Sequence, residues 1–197
     1  LFFISSALYG GAGKWEQELS EDGVKVWTRS VADSDVRQVK SLVTVKAHPD
    51  KIWEGLNTRD KFLGVMPYVI ESKDDYDACG EGCKHAFQVI DRPPLKKRAY
   101  YLKVQWTREE SDDGQNIVIH HKWTKVKNKP VPKNYIEVEH VYGRWGFVSS
   151  DGGKTTKFTY ISFLDMGGMV PVSMVNSSLK DNALRFAKNV KKEAPGW

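Results

Sequence analysis

Residues 171–193 carry one long amphipathic pattern. Val175, Leu179, Asn182, Phe186 and Val190 recur every three or four residues as a single stripe, and Lys180, Arg185, Lys188, Lys191 and Lys192 fall mostly off it. A helix with such a stripe has to bury it, and the sequence predicts no second helix of that length, so the stripe must lie on a sheet. The strands that would build the sheet are upstream. They are predicted over 24–29 and 38–45, then over 68–76, 84–91, 99–108, 117–125, 135–142, 144–148 and 154–165. Asp112-Asp113-Gly114 and Asp151-Gly152-Gly153 punctuate them as hairpin turns, and hairpin-length links make the sheet antiparallel. Trp15 and Leu19, four apart, predict a short helix ended by Glu21-Asp22-Gly23. Pro49 starts a helix with Ile52, Trp53 and Leu56 on its apolar side, and a second short helix over 60–65 ends at Pro67. The sum is an α+β fold: a curved antiparallel sheet wrapped around a long C-terminal helix. A bent sheet around one helix leaves an interior space, filled either by large side chains or by a ligand.

The chain has 197 residues, enough for one domain with a substantial core. Its net charge of +5 and pI near 9.0 are weaker than a dedicated nucleic-acid binder requires. They suit an anionic lipid surface, or simple solubility. Seven Trp, eight Tyr and eight Phe favour strands and the walls of an apolar pocket. Residues 1–8 read Leu-Phe-Phe-Ile-Ser-Ser-Ala-Leu, with Gly10, Gly11, Ala12 and Gly13 behind them. This resembles the end of a secretory signal running into a small-residue cleavage zone, with an apolar terminal extension as the alternative. The expected organisation is therefore a signal remnant or extension over 1–13 and one domain over 14–197, exported to the periplasm or secreted. The two cysteines, Cys79 and Cys83, bracket Gly-Glu-Gly, a loop short and pliable enough for a disulfide. Free thiols, or a zinc site completed by His85, are the alternatives, the latter short of a fourth ligand.

Catalytic signals are weak. Gly152-Gly153-Lys154-Thr155 echoes a phosphate loop, but Val148 stands where its first glycine belongs and no helix follows. There is no Gly-x-Ser-x-Gly. Among the five histidines, His120 and His121 are adjacent and point to opposite faces of a strand, while His85, His120 and His140 are candidates for one inward face. Glu137 and Glu139 look like paired acids but are expected to face solvent beside Tyr135 and Val141. Glu71 and Asp91 are further candidates to face inward, without an assigned role. No cofactor and no metal are expected.

Several segments in order resemble the START lipid-transfer family over about 15–194. They are Asp22-Gly23-Val24-Lys25-Val26-Trp27-Thr28-Arg29 and Val43-Thr44-Val45-Lys46-Ala47-His48-Pro49-Asp50-Lys51-Ile52-Trp53. Asp91-Arg92-Pro93-Pro94-Leu95-Lys96-Lys97-Arg98 follows, then Gly143-Arg144-Trp145-Gly146-Phe147 and Lys154-Thr155-Thr156-Lys157-Phe158-Thr159-Tyr160. Asp165-Met166-Gly167-Gly168-Met169-Val170-Pro171 closes the series. The resemblance implies a helix-grip fold with an internal hydrophobic tunnel that takes one lipid, sterol or other apolar molecule and catalyses nothing. It also implies a lid made by the C-terminal helix and the loop over 125–134, and it fits a bacterial exported member. Arg98-Ala99 departs from the Arg-Asp of animal members, and the buried charge pair of some animal sterol binders, aligned near His85 and Val104, is expected to be absent.

The candidate tunnel wall alternates along the strands: Phe87, Val89, Tyr100, Leu102, Val104, Trp106, Val118, His120, Ile136, Val138, Phe158 and Tyr160. The helix adds Leu179, Phe186 and Asn182, the last as a head-group hydrogen bond. Lys125, Lys127, Lys129 and Lys133 are the candidates for docking on an anionic membrane during exchange, the protein acting as a monomer. Two other readings remain: a polyketide cyclase or aromatase of the same superfamily using His85, His120 and Tyr100, and a ligand sensor or scaffold.

Overall fold

Asp22 and Gly23 both take positive φ, 52° and 77°, the backbone of a tight hairpin turn. This turn decides the N-terminal element. The computed structural model, which describes residues 12–76, 79–168 and 170–197, places a strand there, β1 (Glu16–Glu21), paired with β2 (Val24–Val31). The predicted helix around Trp15 and Leu19 is thus corrected. A spacing of four is shared by one helix face and one strand face, and the two-residue turn selects the strand. Readings that fall on residues 1–11 lie outside the described residues.

The chain continues through β3 (Ser34–Val45), α1 (Pro49–Asn57), α2 (Arg59–Val65), β4 (Val69–Asp75), β5 (Cys83–Ile90), β6 (Arg98–Glu110), β7 (Ile117–Lys125), β8 (Ile136–Glu137), β9 (His140–Ser149), β10 (Thr156–Asp165) and α3 (Val172–Glu193). Neighbours in the sheet run β1-β2-β3-β10-β9-β7-β6-β5-β4, with the two-residue β8 beside β6. All pairs are antiparallel except β8 with β6. α3 lies on the inner face of β2, β3 and β10, as its stripe predicts. His48 caps α1, its Nδ1 accepting from Asp50 N, with Pro49 in the first turn.

The stretch over 135–148 differs from the predicted pair of strands. Val138 N donates to Ala99 O, and Glu139 N donates to Asp165 O, so the chain changes neighbours between these two residues. β9 then runs unbroken through Gly143. That glycine is not a break: a Cβ there would sit 2.4 Å from both Ile161 O and the Trp123 ring. The missing side chain lets Trp123 lie flat on the sheet. Gly143→Ala is therefore expected to lose about 1–3 kcal/mol, read as a lowered urea midpoint. An unchanged midpoint would show that Trp123 yields freely. After the change of neighbours Val141 is buried while His140 is exposed, the reverse of the predicted faces; Glu137 and Glu139 are exposed, as expected.

The core is solid under the C-terminal half of α3. Phe186 is fully buried, with its ring 5.0 Å from Tyr160, 5.8 Å from Phe158 and 6.2 Å from Trp145. Off the stripe, two helix cations meet acids: Lys180 reaches Glu18, and Lys188 reaches Glu21 and Asp22. These contacts tie α3 to the β1–β2 hairpin.

Candidate functional site

Toward the N-terminal half of α3 the packing opens. A hollow of about 120 Å³ lies between α2, the inner faces of β4, β5, β6, β7, β9 and β10, and Leu179 and Asn182 of α3. A smaller one of about 50 Å³ shares Pro67, Ile90, Leu164, Leu179 and Asn182 with it and extends to Arg92 and Val175. The larger space is of the order of an apolar cavity that admits one benzene ring, about 150 Å³.

Its walls are mostly apolar. Leu56, Phe62, Val69, Ala86, Ile90, Leu102, Val104, Trp123, Trp145 and Leu164 all line it. The polar side chains gather in two networks. In one, Tyr100 Oη donates to Gln88 Oε1 at 2.9 Å, and Gln88 Nε2 donates to Ser72 Oγ at 3.3 Å. Burial raises the Tyr100 hydroxyl above its ordinary pKa, with Tyr160 a second cause, so it stays a neutral donor. In the other, the Lys84 ammonium is 6% exposed and donates to Asp74 Oδ2 at 2.7 Å and Asn57 Oδ1 at 2.8 Å. A charge pair thus stands at the hollow on the adjacent strands β4 and β5, with its lysine buried and its carboxylate partly exposed. At the positions aligned with the animal pair, Val104 is apolar wall and His85 is on the outer face.

Beside Lys84 sits His121, 3% exposed. Trp53 Nε1–H donates to its Nδ1 at 3.3 Å, which places the ring proton on Nε2. Its ring stacks on Trp145 at 4.4 Å and on Trp106 at 6.4 Å. Burial first, and the Lys84 ammonium second, push this imidazole down to about 3, so it is neutral at physiological pH. Trp145 Nε1 is buried without an acceptor among the described residues.

Of the candidate wall residues, the structure brings Tyr100, Leu102, Val104, Tyr160, Leu179 and Asn182 to the hollow. Trp106 shares their face but stacks with Trp53 and Tyr76 beyond its edge. Phe158 and Phe186 belong to the solid core, and Val138 is buried where β8 ends. Ile136, half-buried, is at the parallel β8–β6 contact. Phe87, Val89, Val118 and His120 are on the opposite face of the sheet, because β5 and β7 turn the alternate residues inward: Lys84, Ala86, Gln88 and Ile90, and Ile117, Ile119, His121 and Trp123. His85 is half-buried on the outer face, and His140 is exposed. Glu71 pairs with Lys73 and Asp91 with Lys97, and neither lines the hollow.

None of the residues over 125–134 lines either hollow. Lys129 lies over the Tyr101 ring at 4.3 Å, and Lys125 pairs with Glu137, so this loop covers the outer face of β5 and β6. Tyr68, a non-glycine residue at φ 63°, lines the smaller hollow. Arg92 of the β5–β6 loop and Arg185 of α3 lie over its ring at 5.4 and 5.6 Å. This contact joins the loop to the helix across the smaller hollow. Cys79 and Cys83 form a disulfide, and Trp106 N donates to Gly82 O inside its loop.

Comparison with known proteins gives consistent results. The model of the START domain matches residues 88–194. An uncharacterized protein of Pseudomonas aeruginosa is 28% identical over 97% of this chain and 94% of its own. The crystal structure of a STAR-related lipid transfer protein from Xanthomonas axonopodis superposes with a TM-score of 0.77 at 21% identity, over 92% of this chain and 98% of that one. The Zhui aromatase/cyclase from Streptomyces superposes with a TM-score of 0.53 at 17% identity, over 81% of this chain and 93% of that one. At these identities the structural likenesses establish the shared fold.

Proposed function

The chain belongs to the START domain family, and we propose that it is a carrier that holds one apolar molecule between α3 and the sheet and releases it without chemical change. The observation that carries this reading is the hollow itself, apolar over most of its wall and interrupted by two polar networks. Removing apolar surface from water contributes roughly 25 cal/mol per Å², so such a wall binds hydrocarbon with little else. The Lys84–Asp74–Asn57 cluster supplies charge-assisted hydrogen bonds for one oxygen-bearing end of the ligand. At about 120 Å³ the hollow takes only part of an acyl chain or sterol. Loading therefore requires Tyr68 to part from Arg92 or Arg185, and the smaller hollow to open with it. The disulfide suits an oxidising compartment, in keeping with an exported protein, and no helix among the described residues is long and apolar enough to cross a membrane.

A cyclase of the same fold is the rival. The titratable groups at the hollow argue against it: His121 is neutral near neutral pH with its Nδ1 already accepting from Trp53, and burial raises both Tyr100 and Tyr160. The histidines first considered for that chemistry, His85 and His120, face away from the hollow.

Native mass spectrometry of the purified protein tests the carrier reading. A co-purifying lipid-sized mass is expected, and Ala86→Phe, which puts a ring into the hollow, is expected to reduce its occupancy at least tenfold while the fold is kept. An unliganded wild type that also fails to take up a fluorescent fatty acid or sterol would refute the carrier.

A further inference from the structure

The outer face of the sheet, opposite α3, is a basic surface. Register across the strands aligns Trp27, Lys40, Ile161, Arg144, Lys122 and Gln105 in one row. Neighbouring rows on the same face add Lys25, Lys103 and Lys157. Lys25, Lys103, Lys122, Arg144 and Lys157 are exposed, and no salt bridge reaches any of them among the described residues. From β2 to β6 the acids on this face are Glu109, at the far end of β6, and Asp165, at the end of β10. The crowding is felt: Lys40 is held below its ordinary pKa, by burial first and then by Arg29 and Arg144. At one margin Lys40 lies over the rings of Trp15 and Trp27, at 4.7 and 4.3 Å. The contrast with α3 is sharp, since Lys180 and Lys188 of the helix are matched by acids of the hairpin.

We infer that this sheet face docks the protein on the headgroups of an anionic bilayer, through a surface on the side of the sheet opposite the hollow. Its charge calls for an anionic partner. Its composition selects the kind: protein interfaces have apolar or aromatic centres and few lysines, whereas this face is lysine-rich, with Ile161 buried at its middle and Val148 exposed beside Lys157. A fluid headgroup layer needs no shape match and gains from each cation separately. Trp15 and Trp27 at the margin are the amphipathic rings that settle at such an interface. The loop bearing Lys127, Lys129 and Lys133 covers the same side of the sheet and continues the surface.

Co-sedimentation with phosphatidylcholine vesicles, with and without phosphatidylglycerol, tests the inference at low ionic strength. The wild type is expected to bind the anionic vesicles, and added salt to release it. At about fivefold per cation, Lys103→Gln/Lys122→Gln/Arg144→Gln should weaken that binding about 100-fold. The charge-conserving Lys103→Arg/Lys122→Arg/Arg144→Lys should retain it. Lys61→Gln/Lys154→Gln/Lys192→Gln, an equal charge change off this face, should lose less than about fivefold. Equal losses in both Gln triples would reduce the effect to net charge and overturn the inference. So would binding to polyglutamate with none to vesicles, which would point to an acidic protein. Ligand occupancy by mass spectrometry is a separate reading, so failure here leaves the carrier proposal standing or falling by itself.

Discussion

Acidification from pH 6.5 toward 3 is expected to cost the fold up to about 5 kcal/mol through His121 alone, at about 1.4 kcal/mol for each unit of depression. In the folded protein its imidazole titrates at about 3, against 6.5 for an unperturbed one. Above 6.5 it is neutral in both states, and folding is indifferent to pH. Between 6.5 and 3 the unfolded chain takes up a proton that the folded chain refuses, so stability falls as the pH falls. The cause is local: the ring is buried between Trp145 and Trp106, and the Lys84 ammonium is near. Carboxylates also contribute in acid, so the informative quantity is the difference from His121→Phe. Urea midpoints measured across this range should give a wild-type curve steeper by about 1.4 kcal/mol per pH unit. Parallel curves would mean that the ring is protonated inside the fold.

The order of elements is legible in the sequence because turns and periodicity are local signals. Pro49, the Asp-Gly turns and the α3 stripe each act within a few residues. The inward face of a strand is not local. β5 offers Phe87 and Val89 on one side and Lys84, Ala86 and Gln88 on the other, and hydrophobicity favours the first. The structure turns the second inward, because Tyr135 of the covering loop stands beside Phe87, 6.3 Å between rings, and gives the outer side its own apolar cover. On β7 the inward set Ile117, Ile119 and Trp123 is the more apolar, and the alternation signal was available there. Lys84 was unreadable as a site residue for another reason. A lysine is seldom buried, and its partners Asp74 and Asn57 come from another strand and from α1. The same long-range dependence hid the cluster of Arg92 and Arg185 on Tyr68, built from three separate segments.

Lys84→Met is expected to destabilise the protein by about 1–3 kcal/mol, because it leaves Asp74 and Asn57 without their partner at the edge of the hollow. Asp74 stays partly solvated, its side chain 22% exposed, so the loss falls short of that for a fully buried pair. The single variant confuses two roles, fold and recognition, and the double variant separates them. Lys84→Met with Asp74→Leu removes both charges and fills their volume, so its stability should return to within about 1–2 kcal/mol of the wild type. If the pair only holds β4 to β5, ligand uptake should return with it. If the ammonium meets the polar end of the ligand, affinity for a fatty acid should stay about 10–100-fold down, the worth of one charge-assisted hydrogen bond. A capped, neutral hydrocarbon of the same length should then bind wild type and double variant alike. Recovery of both stability and fatty-acid affinity would assign Lys84 to the architecture alone, and the hollow would have to orient its ligand through Gln88 and Tyr100 instead.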